Sequence, residues 1–161
     1  MRKRFLLAIG AAALGAVAFG GIVLATPASL VTTTPIATGT LAPVNLNIKT
    51  GDWKVDLRTK GDSNVIVTEN VVAPGGSFGW HSHPGPSLSV VKSGTLPFYR
   101  GDDPTCTPEI YPAGDVLIDP GNAVHIGRNE GSVDLVLIVT RLVPAGAMAR
   151  IDEPNPGNCG F

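Results

Sequence analysis

From about Val44 onward the chain is a string of short β-branched runs, each closed by a turn signal. The runs are Trp53–Leu57, Val65–Val72, Leu88–Lys92, Leu96–Tyr99, Val116–Ile118, Val124–Ile126 and Val133–Leu142. Between them lie Gly, Pro, Asp and Asn clusters such as Ala73-Pro-Gly-Gly, Arg100-Gly-Asp-Asp-Pro and Asp119-Pro-Gly-Asn. Gly and Pro together mark turns because one reaches positive φ and the other fixes φ. No capped window with a 3.6-residue apolar period follows residue 28. Regular short strands of this kind predict an all-β fold, a small barrel or sandwich. Leu135-Val-Leu-Ile-Val is continuously apolar and reads as a central strand covered on both faces. The mixed residues 53–57 read as an edge or outer strand.

The N-terminus obeys different rules. Arg2-Lys3-Arg4 is followed by an uncharged run from Phe5 to Ala25, then by small residues to Ser29. A basic flank, an apolar run and small residues are the pattern of an export signal, with cleavage expected after Ala25 or Ala28. An uncleaved anchor is the alternative, because 21 helical residues rise about 30 Å. Either way residues 1–28 read as a signal peptide or N-terminal membrane anchor, and the rest is expected outside the cytoplasm. Residues 29–43, rich in Thr, Ala and Pro, read as a spacer, and residues 44–161 as the folded domain with a C-terminal tail. Without the three N-terminal cations the chain carries nine positive against thirteen negative groups, a balance that speaks against nucleic-acid binding. Cys106 and Cys159 are the only cysteines, and in an oxidising compartment they read as a disulfide.

The chain has three histidines, and they fall in one constellation. His81 and His83 are separated by one residue, so on a strand both side chains project from one face. His125 lies 42 residues further on, in another short run flanked by turn residues. Strands of one barrel can bring their inward faces together. Three neutral imidazoles with an open position are a recurring metal site, and imidazole suits several transition metals. Trp80 alternates with His81 and reads as outer-layer packing; Phe78, Phe98, Tyr99 and Tyr111 read as core or rim.

The wider pattern is Gly75-x5-His81-x-His83-x3-Ser87-x6-Gly94, then Gly114-x5-Pro120-x-Asn122-x2-His125-x3-Asn129. It resembles the two signature motifs of the cupin superfamily over about residues 45–146. Two positions depart: Ser87 stands where the family has its metal-binding Glu, and Asn122 where Gly is usual. The resemblance implies a small jelly-roll β-barrel with a metal inside it, held by His81, His83 and His125. It leaves open Fe, Mn, Zn or Ni as the divalent metal, and either a metal-dependent oxygenase or isomerase or a non-catalytic small-molecule binder or structural barrel. Glu69 and Glu109 are carboxylates that could replace the missing Glu, although neither occupies its position. The expected partners are a small-molecule ligand or substrate, the membrane only through an N-terminal anchor, and a second copy of the chain in a homodimer.

Overall fold

The computed structural model describes residues 25–161, so the basic flank and nearly all of the apolar run expected to direct export lie outside the described residues. Twelve strands follow in order: β1 (Ser29–Leu41), β2 (Asn45–Thr50), β3 (Trp53–Arg58), β4 (Ser63–Ser77), β5 (His81–Ser82), β6 (Ser87–Ser93), β7 (Thr95–Arg100), β8 (Glu109–Pro112), β9 (Val116–Asp119), β10 (His125–Gly127), β11 (Leu135–Pro144) and β12 (Ile151–Asp152). There is no helix among the described residues. The strands form two five-stranded antiparallel sheets, ordered β1-β4-β11-β6-β9 and β12-β5-β10-β7-β8. β2 and β3 make a hairpin of their own, which agrees with the outer position expected for residues 53–57. The architecture is all-β and jelly-roll-like, as the turn-punctuated sequence predicts.

The core between the sheets takes Val72, Val91, Leu117, Leu135, Leu137 and Val139 from the first sheet and Leu96 and Phe98 from the second. Burying a side chain of this size contributes roughly 1.5–3 kcal/mol. β11 is central, between β4 and β6, as its apolar run requires. Only its alternate residues Leu135, Leu137 and Val139 are fully buried, however, and Val136 and Ile138 are half-buried on the outer face. The expectation of full cover on both faces is corrected accordingly.

Residues 29–43 are not a spacer. Residues 29–41 form β1, which pairs along β4 from Ser29↔Ser77 to Leu41↔Ser63. Their composition misleads because β1 is an edge strand with little face of its own to bury. Only Val31 packs against the core, and most of the rest is exposed. Threonine is β-branched and suits such a strand. Pro35 falls at a register shift on the sheet edge, where a missing N–H is tolerated. The folded unit therefore begins well before residue 44.

The second sheet also has an outer core. Trp80, Tyr99, Ile126 and Cys159 are buried together, with Cys106 and Val124 packed against them. Trp80 thus lies on the side opposite His81, as strand alternation requires. The C-terminal tail is its cover: Phe161 stacks on Trp80, and the Arg128 guanidinium sits 3.7 Å over the Phe161 ring. Asn158 donates to the carbonyls of Arg100 and Asp103. A Cys106–Cys159 disulfide pins this tail. Closing a loop of 53 residues stabilises by at most about 4 kcal/mol in the chain-entropy account. Thiol labelling of native protein without reductant should find no free thiol. Cys159→Ser should lower the denaturation midpoint by an amount equivalent to about 2–4 kcal/mol; an unchanged midpoint would show that the disulfide adds nothing to stability.

Candidate metal centre

The three histidines converge because β5 pairs with β10. His81 and His125 are direct partners in that pair, and His83 follows two residues after His81 on the same side. Ring centroids lie 4.8 Å apart for His81–His83, 4.3 Å for His81–His125 and 5.3 Å for His83–His125. All three are buried. The turn after Pro120 sets His83 against His125. Its Asn122 N–H donates to the His83 carbonyl at 2.7 Å. Asn122 takes φ 60°, a left-handed conformation that Asn tolerates better than most residues, so it replaces the usual Gly. Gly121 beside it, at φ 85°, backs onto Gly85 so closely that a Cβ would meet the Gly85 carbonyl at 2.6 Å. Asn129 is structural: its amide donates to the carbonyls of Val72 and Val133 and accepts from Gly131 N–H, tying the two sheets.

Each imidazole is oriented by backbone. Nδ1 of His81, His83 and His125 lies 2.9, 2.7 and 2.9 Å from the carbonyls of Gly79, Ala149 and Ala123. A carbonyl only accepts, so each Nδ1 carries the proton and each Nε2 presents its lone pair. One ring nitrogen of each histidine lies within 4.8 Å of the others, a group that could hold a metal ion. A metal–nitrogen bond of about 2.0–2.1 Å would draw them closer. Burial, the dominant cause, lowers the pKa of all three imidazoles. For His81 the neighbouring His125 and Arg150 push the same way, against its hydrogen bond to Gly79. His83 falls to about 4 despite its hydrogen bond to Ala149. For His125 burial prevails over the raising effect of Asp119 and Ala123. The three rings are therefore neutral at pH 7, which is the ligand form.

The rings open on a cavity of about 40 Å³, room for a few water-sized groups. Its apolar wall includes Phe78, Phe98 and Leu137. Its polar side is unusual. Ser87, Ser89 and Asp119 face inward from β6 and β9, all at least nine-tenths buried. Arg141 reaches the same cavity from β11; its Nη1 donates to Thr68 Oγ1 at 3.4 Å, while its buried Nε has no partner. Burial, and then Arg150, press on the Arg141 charge, with Asp119 opposing.

The other proposed carboxylates do not reach the site. Glu69 pairs with Lys92 on the surface, and Glu109 binds Arg100 and Tyr111. Tyr99 donates to Glu130 and belongs to the outer core, so neither tyrosine offers its phenol to the cavity. Asp119 and Arg141 escaped the sequence reading. Asp119 sat inside a turn signal, Asp119-Pro-Gly-Asn, and Arg141 inside an apolar run. The alternation of β9, in which Leu117 and Asp119 share a face, is the signal that could have exposed the carboxylate.

Two antiparallel sheets with three imidazoles converging between them define a jelly-roll-like protein with an interior histidine cluster that could hold a metal ion. Residues 69–141 match the family model described as Cupin domain, and this region of the chain belongs to the cupin superfamily. Among solved structures, a cupin-like protein from Thermotoga maritima is 23% identical, aligned over 56% of this chain and 65% of its own, with a TM-score of 0.47. A cupin superfamily protein from Desulfitobacterium hafniense is 17% identical over 66% and 78%, with a TM-score of 0.43. Oxalate decarboxylase from Lactobacillus farciminis is 21% identical over 55% of this chain and 26% of its own, with a TM-score of 0.47. The chain thus spans less than two thirds of the Thermotoga protein and about a quarter of the decarboxylase. No curated protein matches the chain.

Neutral buried histidines make the metal-free fold acid-sensitive. The unfolded chain takes up protons below pH 6.5, whereas folded His83 resists them until about pH 4. Stability is therefore full above pH 6.5 and falls through the window down to pH 4, by about 3 kcal/mol from His83 alone. Denaturant titrations of chelator-treated protein at pH 7, 5.5 and 4.5 should show this decline; a flat profile would contradict it.

Proposed function

We propose that the protein is an exported cupin that holds a divalent transition metal through His81, His83 and His125 and binds or acts on a small anionic molecule beside it. The observation that carries this reading is the fixed tautomer of three buried imidazoles, each with Nδ1 on a backbone carbonyl and Nε2 free. Such outer hydrogen bonds orient ligand rings and raise their basicity. When bound, the metal supplies Lewis acidity to an oxygen in the cavity. The chain's own residues do the rest. Arg141 offers a half-buried guanidinium, its buried Nε unpaired, to an anionic oxygen. The cavity of about 40 Å³ admits only a small molecule, and its phenylalanine wall limits water.

Export is supported by the N-terminal pattern and by the disulfide, which persists in oxidising compartments. Cleavage after Ala25 agrees better with the fold than cleavage after Ala28. Thr26 Oγ1 accepts from the Trp80 N–H at 2.7 Å and donates to the Glu153 carbonyl. Removing Thr26 would break both. N-terminal sequencing of exported protein should begin at Thr26, and a first residue of Ser29 would overturn this choice of site.

Metal analysis of protein purified without a polyhistidine tag should give about one divalent transition metal per chain. The triple His81→Ala/His83→Ala/His125→Ala variant should retain less than about a tenth of it, since two or fewer ligands hold a metal weakly. Equal metal content in parent and variant would reject the site. Arg141→Ala should leave metal content unchanged and weaken binding of small carboxylates by at least about tenfold.

A further inference from the structure

The cavity holds one group that the three-imidazole reading does not use. Asp119 is 3% exposed. Its Oδ1 accepts from the Gly121 N–H at 3.0 Å, which fixes the plane of the carboxylate. Its Oδ2 is buried and has no hydrogen-bond partner. That oxygen lies 3.9 Å from His83 Nε2 and 3.8 Å from His125 Nε2. No lysine or arginine among the described residues comes within 4.0 Å of it. Arg141, in the same cavity, feels the Asp119 charge without closing on it. A buried carboxylate oxygen with no hydrogen bond is costly, and proteins keep one where it meets a partner or coordinates a metal. Here the orphaned oxygen faces the same nitrogens whose lone pairs converge.

We propose that Asp119 is the fourth protein ligand of the metal, giving a shell of three imidazoles and one carboxylate. The inference rests on the metal-site reading above. The register explains where the carboxylate comes from. Ser87 and Asp119 are direct partners in the β6–β9 pair, and both face the cavity. The carboxylate is supplied by the neighbouring strand, and the serine opposite is small enough to leave it room. One negative charge in the shell halves the charge of a divalent ion, and Arg141 then remains free for an exogenous anion. Carboxylate oxygen also suits manganese better than imidazole does.

Zn(II) and Mn(II) titrations against a competing chelator test this on the full-length exported protein. Asp119→Asn keeps the size of the side chain and the acceptor for Gly121. It should weaken Mn(II) binding at least about 100-fold, beyond the 10–100-fold typical of an outer hydrogen-bond partner, and Zn(II) binding less. The double variant Ser87→Glu/Asp119→Ser moves the carboxylate across the strand pair and should restore Mn(II) affinity to within about tenfold. Stability of the metal-free protein separates a ligand from a structural group. Removing a buried carboxylate whose Oδ2 is unpaired should raise the denaturation midpoint of Asp119→Asn, whereas a carboxylate that holds the fold, through Arg141 included, would lower it on removal. Wild-type affinity in Asp119→Asn, with the histidines still required, would overturn the proposal and leave the three-histidine site standing. A weakened Asp119→Asn that the double variant does not restore would also overturn it. Parent protein that binds neither metal would defeat the metal-site reading itself.

Discussion

The antiparallel register between β6 and β9 decides what the interior of this protein can do. It turns Ser87, Ser89 and Asp119 inward and leaves Leu88, Val90, Val116 and Ile118 at the surface, with Ile118 62% exposed. That is the reverse of ordinary burial. Side chains alternate along a strand, so a slip of one residue would bury the four apolar groups and expel the polar ones. Hydrophobic burial alone would favour such a slip at these positions. The native register is held at the far end of the pair. Val91 and Leu117 sit in the core, Val91 N–H donates to the Asp115 carbonyl, and Gly114 N–H donates to the Val91 carbonyl. The pair is therefore apolar-in where the sheets pack and polar-in where the cavity opens. Local departures of this kind are expected at functional sites, where stability is given up for chemistry.

Opposite this polar wall the imidazoles are prepared by backbone rather than by acidic side chains. A carboxylate on each Nδ1 would stabilise the imidazolium and keep the rings charged. Carbonyl acceptors fix the same tautomer with a weaker pull, and burial then prevails, as the lowering of His83 to about 4 shows. The rings are thus kept neutral and aimed by the fold itself. Loss of rotamer freedom, usually incurred on binding, is already incurred in folding. The single carboxylate near them faces the Nε2 atoms of His83 and His125, 3.9 and 3.8 Å away, rather than any Nδ1.

The legible part of this arrangement was the part encoded locally. His81 and His83 share a face because of strand alternation, and the spacing to His125 fits a known pair of motifs. The turn-punctuated runs disclosed most of the strands. What stayed hidden depends on contacts between distant segments. Asp119 becomes a site residue only through its pairing with Ser87, and nothing at residues 119–122 distinguishes it from a turn aspartate. β1 looked like a spacer because an exposed edge strand needs no apolar alternation, only residues that tolerate extended backbone. Arg141 was obscured by the apolar run around it, although its position on a strand already placed it on one face or the other.

β5 is the shortest element of the site, two residues long, and it cannot hold His81 by its own ladder. Its position is set from three sides. β10 pairs with it through His125, β12 pairs along its other edge, and Ser82 donates to Glu153 Oε1 at 2.7 Å. Behind it, Trp80 is clamped by Thr26 at its N–H and by Phe161 on its ring. Both ends of the described chain thus meet at the back of the strand that carries the first histidine. The disulfide at Cys159 restrains the Phe161 end, and Glu153 links the Thr26 end to Ser82. The disulfide and the packing of the tail thus bear on the same side of β5. A tail left loose would uncover Trp80 and remove the backing of β5, the strand on which His81 stands.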